Sequence, residues 1–263
     1  MSTYIARRED VGNVAETLRE AVAPELTVSI AFSPEEVRES QRLRYAVFAE
    51  EMGARLETPE PGLDIDDYDP WCQHVIVRDR LTRAVVASTR VLVDRDARLA
   101  GGFYSETEFD IGRLLRSPGR VMEIGRTCVH PDYRSGSAIT LLWSGLARFL
   151  DVNKFRYMIG CASIPMGECG ANALAAYEML REKYLLAEAL RATPRLPLPE
   201  RVAPASERQH KPVLPPLLKA YIRLGARIGG EPCWDPLFDC ADLFIVLSPS
   251  ELQKRYAKHF LVR

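Results

Sequence analysis

The order of segments predicts an α/β fold, a mixed sheet with helices packed against it. Three observations carry that expectation. Short β-rich runs recur along the chain, at 26–32, 72–79, 84–94, 121–129, 157–163 and 241–247. Longer stretches between them, above all 137–152, repeat apolar residues at i, i+3, i+4 and i+7. The two kinds of segment alternate, so neither an all-helical nor an all-strand architecture fits.

Taken in order, "LTVSIAF" (26–32) reads as a strand and "SPEEVRESQRLRYAVFAEEM" (33–52) as a helix. Ser33 suits the N-cap, Pro34 the first helical position, and Glu36 stands three residues on, in capping-box register. "CQHVIVRD" (72–79) and "AVVASTRVLVD" (84–94) read as two strands joined through "LTR". "VMEIGRTCV" (121–129) is a strand, "HPDYRSG" a turn, and "SAITLLWSGLARFLDV" (137–152) a helix. "YMIGCAS" (157–163) is a strand and "ANALAAYEMLREKYL" (171–185) a helix. A proline-rich stretch from Pro194 to Pro216 reads as a surface excursion. "LLKAYIRLGARIGG" (217–230) is expected to be helical as far as its glycine pair, and "ADLFIVL" (241–247) to be a last buried strand. The expected organisation is a leader over 1–25, a core over 26–193, and a connection with helix and strand over 194–263 completing the same domain.

With 263 residues and 27% charged residues, the chain can bury a full core in water. A formal net charge of −1 gives no reason to expect nucleic-acid binding. The charge is polarised: residues 57–70 carry six Asp or Glu and no Lys or Arg, while 181–230 carry ten Lys or Arg against four Glu. Six cysteines without CxxC or Cys/His zinc spacing read as reduced thiols, and no metal is expected. The start "MSTYIARRED" has no apolar core of a signal peptide, and no apolar run is long enough to span a bilayer, so a cytoplasmic protein is expected.

Three stretches bear chemistry. "DIDDYDPWCQH" (64–74) places Asp64, Asp66, Asp67 and Asp69 within six positions. It is no EF-hand, because the sixth and twelfth positions hold Asp69 and Val75 rather than Gly and Glu. Two readings stay open, a solvated loop or an ammonium-binding site of several carboxylates. The turn "VHPDYRSGSAITLLW" joins a strand to a helix N-terminus and suits a phosphate group, through backbone N–H groups and Arg134, Ser135 and Ser137. In "MEIGRTCV", Glu123 and Arg126 stand three apart, so a regular strand cannot point both along one face; a bulge near Gly125 would. Cys128 with His130, or Cys72 with His74, reads better as a buried thiol than as a nucleophile and base.

The segments "RLRYAVFAEE", "DIDDYD" with "CQHVIV", "STRVL" and "EIGRTCVHPDYR", in that order, resemble the acyl-carrier-protein-dependent branch of the GNAT acyltransferase superfamily. That branch holds the acyl-homoserine-lactone synthases and the ornithine-lipid N-acyltransferases. The lactone-synthase pattern is matched by Arg44 and Phe48, by Asp66 and Asp69, by Arg90, and by Glu123 with Arg126. Ala54 and Asp64 depart from it, where those synthases carry Trp and Glu. The block 214–247 is similar to the C-terminal stretch of ornithine N-acyltransferases.

The resemblance implies a GNAT-like mixed sheet flanked by helices, with a C-terminal extension. It implies transfer of a 3-hydroxylated fatty acyl group from acyl carrier protein to the α-amine of ornithine, giving a lyso-ornithine lipid. No cofactor stays bound; the phosphopantetheine thioester of the carrier is a co-substrate. Arg44, Phe48, Asp66, Asp69 and Arg90 are then substrate-binding, and Glu123 and Arg126 catalytic, with Glu123 as the base. Thr127, Cys128 and Val129 would lie along the acyl thioester, and Arg134, Ser135, Gly136, Ser137 and Ala138 would hold its phosphate. That loop is one residue shorter than the acetyl-coenzyme A loop usual in the superfamily, which suits a carrier protein. An acidic carrier protein would dock on Lys211, Lys219, Arg223 and Arg227. A lipid product implies peripheral contact with the inner face of a membrane, through the helix at 217–230 or the leader. The alternatives are another acceptor such as glycine, an autoinducer-type product, or a non-catalytic module that binds acyl groups or their carrier.

Overall fold

The computed structural model describes residues 25–167, 170–199 and 212–249. Residues 1–24 of the leader, part of the proline-rich stretch and Lys211 lie outside them.

In chain order the elements begin with β1 (Leu26–Ile30), α1 (Pro34–Tyr45), β2 (Gln73–Asp79) and β3 (Val85–Val93). Three one-turn helices, α2 (Asp94–Ala97), α3 (Ser105–Glu108) and α4 (Gly112–Leu115), come next, with β4 (Phe109–Asp110) between the last two. Then follow β5 (Arg120–Val129), α5 (Ser137–Val152), β6 (Phe155–Pro165), α6 (Ala171–Tyr184) and β7 (Thr193–Pro194). The chain continues through α7 (Pro216–Leu224), β8 (Arg227–Ile228), β9 (Cys233–Asp235) and β10 (Cys240–Leu247). The fold is mixed α/β with helices flanking largely antiparallel strands, as expected.

These elements form two compact units. Among the described residues the first holds 25–101 and 124–154, and the second holds 102–123 with those from 155 to 249. β5 contributes to both.

In the first unit the strand order is β1-β2-β3-β5, with β1–β2 and β2–β3 antiparallel. α1 starts as its sequence predicts: the Ser33 side chain accepts from the Glu36 N–H at 3.2 Å, and the Glu36 carboxylate accepts from the Ser33 N–H at 3.2 Å. Acids in its first turn and Arg42 and Arg44 in its last suit the helix dipole. The chain then widens into a π-helical stretch, Ala46–Glu51, instead of extending the α-helix. Leu43 and Val47 are buried with Cys128, and Phe48 and Val85 pack against them. α5 packs on the same strands and buries Leu142, Leu146 and Leu150. β3 is buried from Val86 to Val93 even though Ser88, Thr89 and Arg90 sit in its middle, so each of those polar groups needs a partner.

In the second unit the order is β5-β6-β10-β8, with β9 beside β10. β5 runs parallel to β6 from Arg120↔Phe155 to Glu123↔Ile159, and β6 runs antiparallel to β10 from Cys240↔Pro165 to Leu247↔Met158. β10 is the buried strand its apolar run predicts, one residue longer. The segment 217–230 departs from expectation. α7 stops at Leu224 because Gly225, at φ 108°, takes the left-handed conformation that closes a helix. The chain then extends and pairs with β10 through Arg227 and Ile228. The expected stop, the pair Gly229–Gly230, serves close packing: a Cβ there would lie 2.4 Å from the Phe244 ring or 2.5 Å from the Ala192 carbonyl.

Candidate active site

In the first unit the acidic loop closes on three arginines. Arg44 donates from Nε to Asp64 at 2.8 Å and from Nη1 to Asp69 at 2.7 Å. Arg90 donates to Asp69 at 2.9 Å and also to Asp66. Arg126 reaches Asp64 at 3.2 Å and Asp66 at 3.3 Å. Each carboxylate thus meets two guanidiniums, and three charges of each sign cancel. Arg44, Arg90, Asp64 and Asp69 are buried, Asp66 is half-buried, and Asp67 points to water. Burial by itself would raise the Asp69 carboxyl, but Arg44 and Arg90 outweigh it and hold Asp69 well below the usual carboxylate range. Asp66 is lowered in the same way, burial being outweighed chiefly by Arg90. Gln41 adds a 3.0 Å bond to Asp69, and the His74 ring stands 3.3 Å from the Asp69 carbonyl. Burial pushes His74 down to about 4.

The structure therefore brings together four of the substrate-binding residues expected from sequence, Arg44, Asp66, Asp69 and Arg90, with Arg126, in one neutral network. Phe48 stands apart, half-buried on the Leu43–Val47–Cys128 cluster.

Along β5 the break from regular strand geometry falls on Arg126, at φ 51°, one residue after the expected Gly125. Thr127 shares a 2.7 Å hydroxyl contact with Thr89. Cys128 is buried and its thiol is pushed up to about 12, chiefly by that burial, as for a structural thiol rather than a nucleophile. Val129 accepts from Arg134 Nε at 3.0 Å. The two terminal nitrogens of Arg134 also clasp Glu51 at 2.6 and 2.7 Å. Gly136, at φ 111°, turns the chain into α5, whose first N–H groups have no partner within the helix. Ser135 and Ser137 are exposed beside them and Ala138 is buried.

In the second unit Glu123 is buried on β5, and its carboxylate is held from three sides. It accepts from the Tyr104 and Ser105 N–H groups, each at 2.7 Å, and from the Ser105 hydroxyl.

The same unit contains a group that sequence reading missed. Asp235, Cys240 and Asp242 are all buried, with ligating atoms within 4.8 Å of one another. Glu108, at the end of α3, is buried against Asp242. Burial first, and then the Asp242 charge, raise the Glu108 carboxyl well above the carboxylate range. The clue was available in "ADLFIVL", where Asp242 is a lone charge inside an apolar strand.

Of the expected docking residues, Lys219 and Arg223 are exposed on α7, Arg227 is half-buried on β8, and Lys211 lies outside the described residues. The apolar side of α7, with Leu218, Tyr221, Ile222 and Leu224, is buried in its own unit, so the membrane-docking face expected there is covered. No helix among the described residues is long and apolar enough to cross a membrane.

The family model described as the acetyltransferase (GNAT) domain matches residues 43–144. Among solved structures the chain is similar in fold to the acyl-homoserine-lactone (AHL) synthase LasI. The TM-score is 0.53 at 13% identity, over 90% of this chain and 95% of that one. It is also similar to BjaI, a CoA-dependent acyl-homoserine lactone synthase solved with MTA, at a TM-score of 0.52 and 13% identity, over 86% and 81% of the two chains. Fold and domain match together place the chain in the GNAT class.

The chain is 36% identical to the L-ornithine N(alpha)-acyltransferase of Agrobacterium fabrum, over 89% of this chain and 85% of that protein. It is 36% identical to the one of Rhizobium meliloti, over 89% and 84%. With the one of Rhodobacter capsulatus it shares 32%, over 90% and 95%. The chain belongs to the L-ornithine N(alpha)-acyltransferase family.

Proposed function

We propose that the protein moves a 3-hydroxylated fatty acyl group from acyl carrier protein to the α-amine of ornithine, and that the product is a lyso-ornithine lipid. The observation that carries the acceptor is the 36% identity, over nearly the whole chain, to proteins named for that activity. The carrier-protein donor rests on the short loop Arg134–Ala138 and on exposed Lys219 and Arg223, which suit an acidic partner.

In this reading the thioester lies along β5, with its phosphate at the start of α5, where N–H groups and the helix dipole favour an anion. Arg134 joins it by giving up part of its clasp on Glu51. The α-ammonium must lose a proton before attack, and Glu123 takes it, directly or through a water. Backbone N–H groups around Thr127–Val129 stabilise the oxyanion formed on the thioester carbonyl. The Arg44–Asp64–Asp66–Asp69–Arg90–Arg126 network holds the strand and loop in place, its charges already compensated.

Mass spectrometry of reactions containing a 3-hydroxyacyl carrier protein and single amino acids tests this. N-acylornithine as the dominant product is the expected result. Acylation of glycine or another neutral amino acid would keep the enzyme and remove ornithine. A lactone-type product would move the chain toward the autoinducer synthases. No product with any amine would leave a binding module.

A further inference from the structure

The alternation of β-strands places a set of polar residues on one face within the second unit. Residues directly paired across a ladder share a face, as do residues two apart along a strand. Glu123 pairs with Ile159, and Cys161 and Ser163 follow on the same side of β6. Ser163 pairs with Asp242 on β10, and Cys240 pairs with Asp235 on β9. α3 lies against β6 and β9 and turns both of its ends inward, Ser105 toward Glu123 and Glu108 toward Asp242. Ser105 links the two, since its hydroxyl stands 3.6 Å from the Cys161 thiol, and that thiol in turn stands near Glu108.

The charges on this face are not balanced. Among the described residues no Lys or Arg pairs with Glu108, Asp235 or Asp242. Glu108 is 8% exposed and Asp242 3%. Both oxygens of Glu108 and the Oδ1 of Asp242 lack a hydrogen-bond partner of proper geometry. Burial and the neighbouring Asp242 charge keep Glu108 protonated, so in the ligand-free protein the pair shares a proton; the three acceptor atoms without a well-aligned partner leave room for a donor from outside. Ser163, opposite Asp242, is exposed, so the face opens to solvent beside the cluster. An alkyl ammonium fits: it carries one positive charge and three N–H donors. A metal ion fits less well. The Cys240 thiol is kept protonated by burial and points its hydrogen at Asp242, and Asp235 Oδ1 is occupied by the Leu237 and Phe238 N–H groups.

We infer that Glu108 and Asp242, backed by Asp235, form the subsite for the side-chain ammonium of the acceptor amino acid, an inference that rests on the ornithine reading above. Glu123 and this subsite then receive the two ends of one diamine on one face: the α-amine at the base, the distal ammonium at the acidic pair. Selection against neutral amino acids follows, because they leave the acidic pair without a donor.

The test compares ornithine with norvaline, its analogue without the distal amine, as acceptors from the same 3-hydroxyacyl carrier protein. The proteins are wild type, Glu108→Gln and Asp242→Asn, each checked by thermal melting. The expected result is that wild type prefers ornithine in kcat/KM, and that each variant lowers the ornithine-to-norvaline ratio on the order of 100-fold. A merely structural role would lower both acceptors together and leave the ratio unchanged. If both folded variants keep the wild-type ratio while wild type still acylates ornithine, the subsite is wrong and the ornithine reading stands. If wild type acylates norvaline as readily as ornithine, or neither, the ornithine reading fails and takes the subsite with it. Should one variant not fold, the other decides. Stoichiometric divalent metal in purified wild type, lost in Asp242→Asn, would overturn the ammonium in favour of a metal.

Discussion

The acidic loop of the first unit and the acidic cluster of the second differ in one respect: arginines match the first, and among the described residues no cation matches the second. Asp64, Asp66 and Asp69 meet Arg44, Arg90 and Arg126 pairwise, so the loop that looks most like a binding site in sequence is closed upon itself. Glu108, Asp235 and Asp242 are scattered in sequence, yet they come together with no cation among the described residues. A density of carboxylates therefore does not make a site.

Breaking the compensated side should have the largest effect. Arg44→Leu leaves Asp64 and Asp69 buried without a main partner and should cost about 3–5 kcal/mol, read by urea denaturation. A loss below about 1 kcal/mol would mean that the network is not what holds the loop. Glu123→Gln tests chemistry instead of stability. Turnover should fall about 100-fold or more while carrier-protein binding persists; the urea midpoint also drops somewhat, because the Gln NH2 faces the Tyr104 or Ser105 N–H donor. Turnover within a few-fold of wild type would remove Glu123 as the base.

Acid sharpens the comparison further. Unfolded His74 takes its proton near pH 6.5, but in the fold it does so only at about 4. The unfolded chain therefore binds that proton first. Stability is complete above about pH 6.5 and declines by roughly 3 kcal/mol as pH falls to about 4. Asp69, held below the carboxylate range by its arginines, extends the decline below about pH 4, as its charge is lost through its folded value. His74→Gln should flatten the upper part of this profile, measured by denaturation at stepped pH, and leave the lower part. An unchanged slope between pH 6.5 and 4 would assign the loss elsewhere.

The smallest effect should carry the opposite sign. Asp242→Asn removes a buried charge with no counter-ion and should raise the stability of the ligand-free protein by about 1 kcal/mol. A loss of several kcal/mol would show that the hydrogen bonds of Asp242 to Cys240, Ser163 and Glu108 outweigh the cost of its buried charge, and the contrast between the two clusters would collapse.

Much of the architecture was legible from local pattern. The capping box at Ser33 and Glu36, the helical spacing of α5 and the apolar runs of β2, β3 and β10 report geometry set within a few residues, so they read directly. The one-turn helices α2 to α4, β8 and β9 did not, because they are too short for a period and exist through what they pack on. Arg44, Asp66, Asp69, Arg90, Glu123 and Arg126 could be picked out, but not the pairing among them. Arg44 and Asp64 are 20 residues apart, and Arg126 and Asp66 are 60.

The sequence by itself thus determined the class of fold, the family and which charged residues stand in unusual company. Only the tertiary structure decided which charges cancel and which remain bare. Hydrophobic periodicity acts over neighbouring residues and survives in one dimension. Electrostatic compensation acts over a few ångströms, between residues whose separation along the chain carries no information about their distance.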